Sequence, residues 1–400
     1  MRVLLSAYAC EPGKGSEPGV GWNWARMVAE DHETAVLTRS NNRASIEAAL
    51  AADPQPNLRF IYVAPPRWLT WWKRGHRGVR LYYLLWQVWA LAAAARAHRE
   101  RPFDLVHHVT FANAYTPALV CLLPVPFVWG PVGGATRPCW RLAGEWGPRG
   151  VAYELLRAGR RGVGRWLDPL MRLTWSRATC ILTQNHETKR WLPSSTRARC
   201  RVVPNGGYDA RQLVRIPTRR GGDVRAVTPA RLVHLKGVSL AVRALAAAGL
   251  ADVELTVVGD GPERERLERL ARQLRVKVRF SEWLPQARLF ELLARSDVLL
   301  FPSLHDECGF VVIEAMAHGV VPVVVANGGP PLVAGDAGLS VPFGSRAVMV
   351  EALAGHLRAL AADPELRSAL QARARQRAKR FEWQARVAEI RTVYGQLGHA

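Results

Sequence analysis

A chain of 400 residues exceeds what one hydrophobic core usually supports, which predicts two domains. With 49% hydrophobic and 22% charged residues, it is not a disordered, coiled-coil or collagen-like protein. No apolar run reaches the roughly 18–20 residues needed to span a bilayer. The 55 Lys+Arg against 33 Asp+Glu give a net charge of +22, mostly from residues 1–205, where 28 basic side chains face 13 acidic ones. A basic half favours anionic partners such as nucleic acid, phospholipid head groups or phosphorylated metabolites. Only six of the basic residues are Lys, so an arginine-rich composition accounts for part of the excess.

Apolar, β-branched runs alternate with helical patterns along the whole chain. The first half predicts strands at Val3–Leu5, Ala35–Thr38, Phe60–Val63, Leu105–Val109, Phe127–Trp129, Cys180–Thr183 and Arg201–Val203, with helices at Val20–Ala29 and Tyr82–Ala97 between them. The second half predicts strands at Arg225–Val227, Glu254–Val258, Val278–Phe280, Val298–Phe301 and Val321–Val325. Helices are expected at Val238–Ala248, Glu263–Gln273, Gln286–Ala294, Val311–Ala317 and Arg346–Ala361. This alternation predicts an α/β protein of two doubly wound parallel sheets covered on both faces. The breaker cluster Pro204-Asn205-Gly206-Gly207 marks the boundary, and Pro217–Asp223 reads as a polar loop opening the second block. The expected division is 1–204, 205–378 and a terminal segment 379–400. In that segment Trp383, Val387, Ile390 and Tyr394 form a helical stripe that returns to the first domain.

The six cysteines, Cys10, Cys121, Cys139, Cys180, Cys200 and Cys308, include no CxxC pair. Their scatter fits a reducing, cytoplasmic setting. The stretch Val3–Cys10 is short for a secretory signal and reads as a first strand running into a loop.

Ligands of open α/β sheets bind beyond the carboxyl ends of the strands, so the loops there carry the candidate chemistry. After Val298–Phe301 comes Ser303-Leu304-His305-Asp306-Glu307-Cys308-Gly309, then a helix containing Glu314. Backbone N–H groups at Gly309, Phe310 and Val311 would face an anion at the helix N-terminus, and Asp306 and Glu314 could grip sugar hydroxyls. After Arg225–Val227, Arg231 and Lys236 could meet a pyrophosphate, Arg as a fork and Lys as a point charge. Gly259-Asp260-Gly261-Pro262 and Asn327-Gly328-Gly329 are further turn loops of the same half. In the first half, Gly13–Gly21 reads GKGSEPGVG, a loop suited to close approach of a ligand, yet without the P-loop ending or true GxGxxG spacing. His107 and His108 end a strand, and one of them must face the other side of the sheet. Residues 65–102 combine Trp68, Trp71, Trp72, Trp86 and Trp89 with Arg67, Lys73, Arg74, Arg77 and Arg80. Residues 137–177 add nine arginines and Trp140, Trp146, Trp166 and Trp175. That mixture suits an anionic membrane surface better than nucleic acid, because no nucleic-acid motif accompanies it.

These motifs, in this order, resemble the family-4 retaining glycosyltransferases. The acidic–seven–acidic pattern matches Asp306 and Glu314, the Arg–Lys pair matches Arg231 and Lys236 in ARLVHLKG, VVGDGPE matches the Gly-acidic-Gly-Pro turn, and PNGG matches the hinge. The resemblance implies the GT-B architecture, with two Rossmann-like domains facing a central cleft. It implies that Arg231, Lys236, Gly309, Phe310, Val311 and Gly259 bind a nucleotide-sugar donor, that Glu314 contacts its ribose, and that Asp306 contacts its sugar. Gly15, Ser16 and Glu17 would lie in the first domain's acceptor-side loop. The family's histidine after the strand at 127–129 has no counterpart in Trp129–Gly134, so His108 is expected as a catalytic substitute and His107 on the acceptor side. No metal or cofactor is implied. The expected partners are a nucleotide-sugar, a glycan or lipid-linked acceptor and an anionic membrane, at the inner face of the plasma membrane. Two alternatives are a nucleotide-sugar epimerase of the same fold and a non-catalytic basic binding protein.

Overall fold

The computed structural model describes residues 1–73, 75, 78–214 and 223–397, without the side chains of 163–166. Arg74, Arg77, the Trp166 side chain and all of the Pro217–Asp223 loop but Asp223 therefore lie outside the described residues. The chain forms two compact units. The first comprises Met1–Ala135, Arg160–Asn205 and Trp383–Ala400, and the second Thr136–Gly159 and Gly206–Glu382.

The first unit is built on a parallel sheet of β1 (Arg2–Ser6), β2 (Glu33–Arg39), β3 (Leu58–Val63), β4 (Leu105–His108), β5 (Phe127–Val132), β6 (Cys180–Thr183) and β7 (Cys200–Val202), in the spatial order β3-β2-β1-β4-β5-β6-β7. β1, β4, β5 and β6 are buried along their whole length, as parallel strands covered on both faces must be. Residues Val79–Glu100 cover one face and put Tyr83 and Trp86 into the core. The terminal helix Trp383–Gly395 buries Val387, Ile390 and Tyr394 in this unit, and packs beside the helix Ser16–Ala29.

The second unit holds β8 (Val224–Pro229), β9 (Val253–Val258), β10 (Val278–Ser281), β11 (Val298–Phe301), β12 (Val321–Val325) and β13 (Leu339–Val341), in the order β10-β9-β8-β11-β12-β13, again parallel. The edge strand β13 was not foreseen. It is three residues long, and its Ser340 is exposed, so it carries no apolar run.

Residues 136–159, assigned to the first domain from the sequence, group with the second unit. Cys139, Leu142 and Trp146 bury their side chains in the same cluster as Val224, Leu240 and Leu255, and this apolar anchoring overrides proximity in sequence. The helix Gly147–Trp166 belongs to the second unit as far as Gly159. Residues 379–382, expected with the terminal segment, also stay with the second unit, where the Tyr208 N–H donates to the Phe381 carbonyl at 3.1 Å.

Candidate functional site

In the second unit, β8 is flanked by β9 on one side and β11 on the other, so successive strands reverse their direction of growth between β8 and β11. The crevice outside the carboxyl ends of two such strands is where open α/β sheets take ligands. The loop after β8 carries Arg231 and Lys236, and the loop after β11 carries His305, Asp306, Glu307 and Gly309.

The two loops meet through an ion pair. Lys236 Nζ donates to Asp306 Oδ2 at 2.6 Å, and both side chains are largely buried. Asp306 Oδ1 accepts the backbone N–H of Gly309 at 2.7 Å and that of Cys308 at 3.3 Å. Burial opposes the charged carboxylate, but Lys236 and the Gly309 N–H outweigh it and hold the Asp306 carboxyl below its usual range. The Gly309 N–H, expected to face a ligand, is therefore taken by Asp306. Phe310 and Val311 open the helix Phe310–Ala317, and their N–H groups are first-turn donors without an intrahelical acceptor. Arg231 is exposed at the same end of the sheet.

Glu314 lies on that helix. Gln286 Nε2 donates to its Oε1 at 3.3 Å, which brings the start of the helix Gln286–Ala294 beside it. Burial pushes the Glu314 carboxyl up to about 7, with the Gln286 contact acting the other way.

Gly259, expected to touch the donor, makes room for a neighbouring loop. A Cβ there would lie 2.0 Å from the Ala230 carbonyl oxygen, and one on Gly261 would lie 2.3 Å from that of Leu232. The two glycines let the loop after β9 close on the loop after β8, where Ala230 N–H donates to Val258 O at 2.9 Å and Leu232 N–H to Asp260 O at 2.8 Å. Gly259 and Gly261 thus fix the backbone on the two sides of Arg231.

The first unit repeats the arrangement. β1 lies between β2 and β4, so the reversal falls between β1 and β4. The loop after β1 leads through exposed Gly15 and Ser16 into the helix Ser16–Ala29. Glu17, in the first turn, accepts the Phe111 N–H at 3.0 Å on its Oε2 and so ties the loop after β1 to the loop after β4. Burial raises its carboxyl pKa, against the pull of the Phe111 N–H. The aromatic rings of Tyr82, Tyr83 and Phe111 gather around Tyr8, with centroids 4.6–6.4 Å from it.

His107 and His108 lie at the end of β4. They are 0% and 1% exposed and face opposite sides of the sheet. His107 Nε2 lies 2.6 Å from the Gly130 carbonyl and Nδ1 2.6 Å from the Tyr394 hydroxyl. His108 Nε2 lies 2.9 Å from the Tyr83 hydroxyl and Nδ1 2.9 Å from Ser6 Oγ. Every ring nitrogen is thus within hydrogen-bond reach of a protein group, and both histidines, read as catalytic and acceptor-side groups, stand inside the core of the first unit.

Other polar groups behind the Asp306 loop had not been singled out. Arg157 and Glu154 come from the helix Gly147–Trp166, whose five glycines and one proline hide its helical period. His305 and Glu307 stand inside the acidic motif itself, where their flanking positions were the available signal.

Residues 210–377 match the family described as glycosyl transferases group 1. The lipopolysaccharide core biosynthesis glycosyltransferase LpsE of Rhizobium meliloti is 30% identical over 235 residues, 56% of this chain and 66% of that protein. The 2-deoxystreptamine N-acetyl-D-glucosaminyltransferase of Streptomyces fradiae is 31% identical over 290 residues, 67% of this chain and 66% of that protein. Both alignments thus stop just short of two thirds of the relative's length. The crystal structure of HepE from Anabaena in complex with UDP covers 99% of this chain and 100% of its own, with a TM-score of 0.65 at 16% identity, a likeness of fold.

Proposed function

We propose, for a chain whose residues 210–377 match the group 1 glycosyltransferases and which has the GT-B fold, that it moves a sugar from a nucleotide-diphosphate donor to a glycan or lipid-linked acceptor. The transfer retains the anomeric configuration and serves cell-envelope or exopolysaccharide assembly. The observation that carries this reading is the Lys236–Asp306 pair at 2.6 Å, with Arg231 exposed on the Lys236 loop, at the reversal point of the second sheet. One carboxylate and two cations there match a ligand that joins a hydroxyl-rich ring to a diphosphate.

Arg231 would fork onto the phosphate oxygens. Lys236 has three N–H donors, so it can keep Asp306 and still present one to the leaving diphosphate. The first-turn N–H groups of Phe310 and Val311 add positive potential where that charge develops. Asp306 would orient the sugar hydroxyls, and Glu314 would accept from the ribose. These groups supply the charge compensation that a divalent cation provides elsewhere, so transfer should persist in excess chelator. Gly15, Ser16 and Glu17 would form the acceptor-side loop. UDP is the first nucleotide to test, because HepE was crystallised with it.

Attachment to the inner face of the plasma membrane is supported by the first unit's surface. Trp68 and Trp71 are 75% and 78% exposed, and Leu81, Leu84 and Val88 form an exposed stripe on the helix Val79–Glu100. Arg67, Lys73 and Arg80 accompany them. Aromatic and basic side chains together fit an anionic lipid surface. Trp68→Ser/Trp71→Ser should release the protein from anionic vesicles. Equal binding by both forms would exclude this surface.

The donor reading is tested by thermal stabilisation with UDP, GDP and ADP. A ligand at 100 times its Kd adds about 2.7 kcal/mol. A shift with one nucleotide, lost in Arg231→Ala, is expected, and its sugar conjugate should give a product of unchanged anomeric configuration by NMR. No shift with any of the three would refute the donor site, and an inverted product would refute retention.

A further inference from the structure

Asp306 is the acidic residue of the donor loop, yet among the described residues the hydrogen bonds of its side chain go to the loop and Lys236 alone. Its neighbours on either side are held by a closed ring of polar groups within the second unit. Arg157, 8% exposed, forks onto Glu154 Oε2 from Nε at 3.0 Å and Nη2 at 2.7 Å, and Glu154 is 0% exposed. Arg157 Nη1 donates to the Thr136 carbonyl at 3.1 Å and lies against the His305 ring, 2.8 Å from Nδ1 and 3.5 Å from Nε2. Glu307 Oε1 accepts from the Thr136 hydroxyl and lies 3.9 Å from His305 Nε2. Thr136 thus closes the circuit from Arg157 through His305 and Glu307 back to Arg157.

The chemistry of the ring sets the state of His305. A guanidinium can only donate, and Nη1 lies nearer Nδ1 than Nε2, which favours the neutral imidazole that carries its proton on Nε2, on the side of Glu307. Arg157, Lys236, Asp306 and Glu307 are the charged groups around this ring. Burial lowers the His305 pKa, and Arg157 and Lys236 act in the same direction against the two carboxylates. The backbone of Asp306 is also confined from a third side, since the Gly329 N–H donates to the Asp306 carbonyl at 3.0 Å and a Cβ on Gly328 would lie 2.1 Å from that oxygen.

We infer that Arg157, anchored by Glu154, is a positioning residue: it locks His305 as the Nε2–H tautomer and thereby fixes residues 305–307, and with them the Asp306 carboxylate, for the sugar of the donor. This rests on reading the Asp306 loop as the donor-sugar site. It separates two roles within that site. Arg231 and Lys236 hold the diphosphate directly, whereas Arg157 acts only through the loop. A misplaced reacting group of about 1 Å can cost roughly 100-fold in rate without loss of binding.

The experiment uses the full chain. Removing Arg157 alone strands the buried Glu154 charge, so the main variant is Arg157→Met/Glu154→Leu, which removes both charges. It should keep its cooperative thermal transition and bind UDP within about twofold of the unmodified protein, while kcat with the sugar donor falls roughly 10- to 100-fold. His305→Asn keeps an acceptor where Nδ1 stands and should retain most of kcat, whereas His305→Leu should lose as much as the double variant. Independently of activity, imidazole 15N–13C NMR should show His305 as the Nε2–H tautomer, titrating closer to the ordinary histidine range once Arg157 is replaced. Unchanged kcat in the double variant, equal loss in His305→Asn and His305→Leu, or an Nδ1–H tautomer would each overturn the inference. If the unmodified protein neither binds nucleotide nor transfers sugar, the donor reading fails instead, and the tautomer decides the ring by itself.

Discussion

Lys236 Nζ and Asp306 Oδ2 stand 2.6 Å apart although 70 residues separate them in the chain. The pair joins the loops after the two central strands of the second sheet, so it contributes to structure before any ligand arrives. Lys236→Ala leaves the Asp306 carboxylate with only backbone partners, and a loss of roughly 1–3 kcal/mol is expected. The folded Asp306 carboxyl titrates below its unfolded value, so its stabilisation is present above the unfolded pKa of about 3.9 and is lost as pH falls through the folded value. Thermal denaturation of the unmodified protein and Asp306→Asn should therefore differ most near neutrality and converge in acid. A difference that grows in acid would contradict the ion pair. Catalysis should respond more strongly than stability: Lys236→Ala is expected to lower kcat/KM by about 100-fold or more, the scale of a lost charge-stabilising group.

Glu314 runs the opposite way with pH. Its folded pKa of about 7 stands above the unfolded value of about 4.3, so its contribution to stability is fully present below the unfolded value and is lost as pH rises through about 7. Glu314→Gln keeps the neutral, buried form at every pH. It should match the unmodified protein near pH 4.5 and exceed its Tm above pH 7. If the ionised carboxylate accepts from the ribose, UDP affinity of the unmodified protein should rise between about pH 6 and pH 8, and the variant should lose that rise. Calorimetric titration at the two pH values checks both statements, and a pH-independent UDP affinity would remove Glu314 from the ribose contact.

Gly259 and Gly261 have φ of +135° and +156°, and their missing Cβ atoms leave room for the carbonyls of Ala230 and Leu232. The Arg231 backbone is pinned between these two carbonyls. Gly261→Ala must either shift the Leu232 backbone or strain its own, at a cost of order 1–3 kcal/mol. Gly259→Ala should do the same at Ala230. Both variants should lose nucleotide affinity along with stability, although neither removes a donor group. Full UDP affinity in a destabilised Gly259→Ala would show that the loop after β8 adjusts without consequence for Arg231.

The strands were readable because buried parallel strands leave a plain trace. Leu299-Leu300-Phe301 and Val323-Val324-Val325 are runs that few other structures bury so completely. The Arg231–Lys236 and Asp306–Glu314 motifs were readable because ligands of such sheets gather in strand-end loops. The helix Gly147–Trp166 was not readable. Gly147, Pro148, Gly150, Gly159, Gly162 and Gly164 argue for a loop by local propensity. Its place on the second unit is decided instead by Trp146 in the core and by the buried Glu154–Arg157 pair, which are tertiary effects. The close approach of the Gly259 loop to Ala230 was not readable, because spacing alone does not show which backbone a glycine admits.

The burial of His107 and His108 gives a prediction of its own. Burial lowers their pKa values to about 4 and about 3, so both are neutral in the folded protein at physiological pH. An unfolded histidine titrates near 6.5, and the stabilisation is therefore present above about 6.5 and is lost as pH falls through the two folded values. The first unit should lose stability in mild acid, before most carboxylates titrate. His108→Gln keeps hydrogen-bonding groups for Tyr83 and Ser6 but cannot take a proton, so its Tm should fall less than that of the unmodified protein between about pH 6 and pH 4. Its kcat with a sugar donor at neutral pH should stay within about threefold of the unmodified enzyme, well short of the 100-fold or greater loss typical of a general acid or base. A loss of that size in a variant with an intact thermal transition would return His108 to the active site.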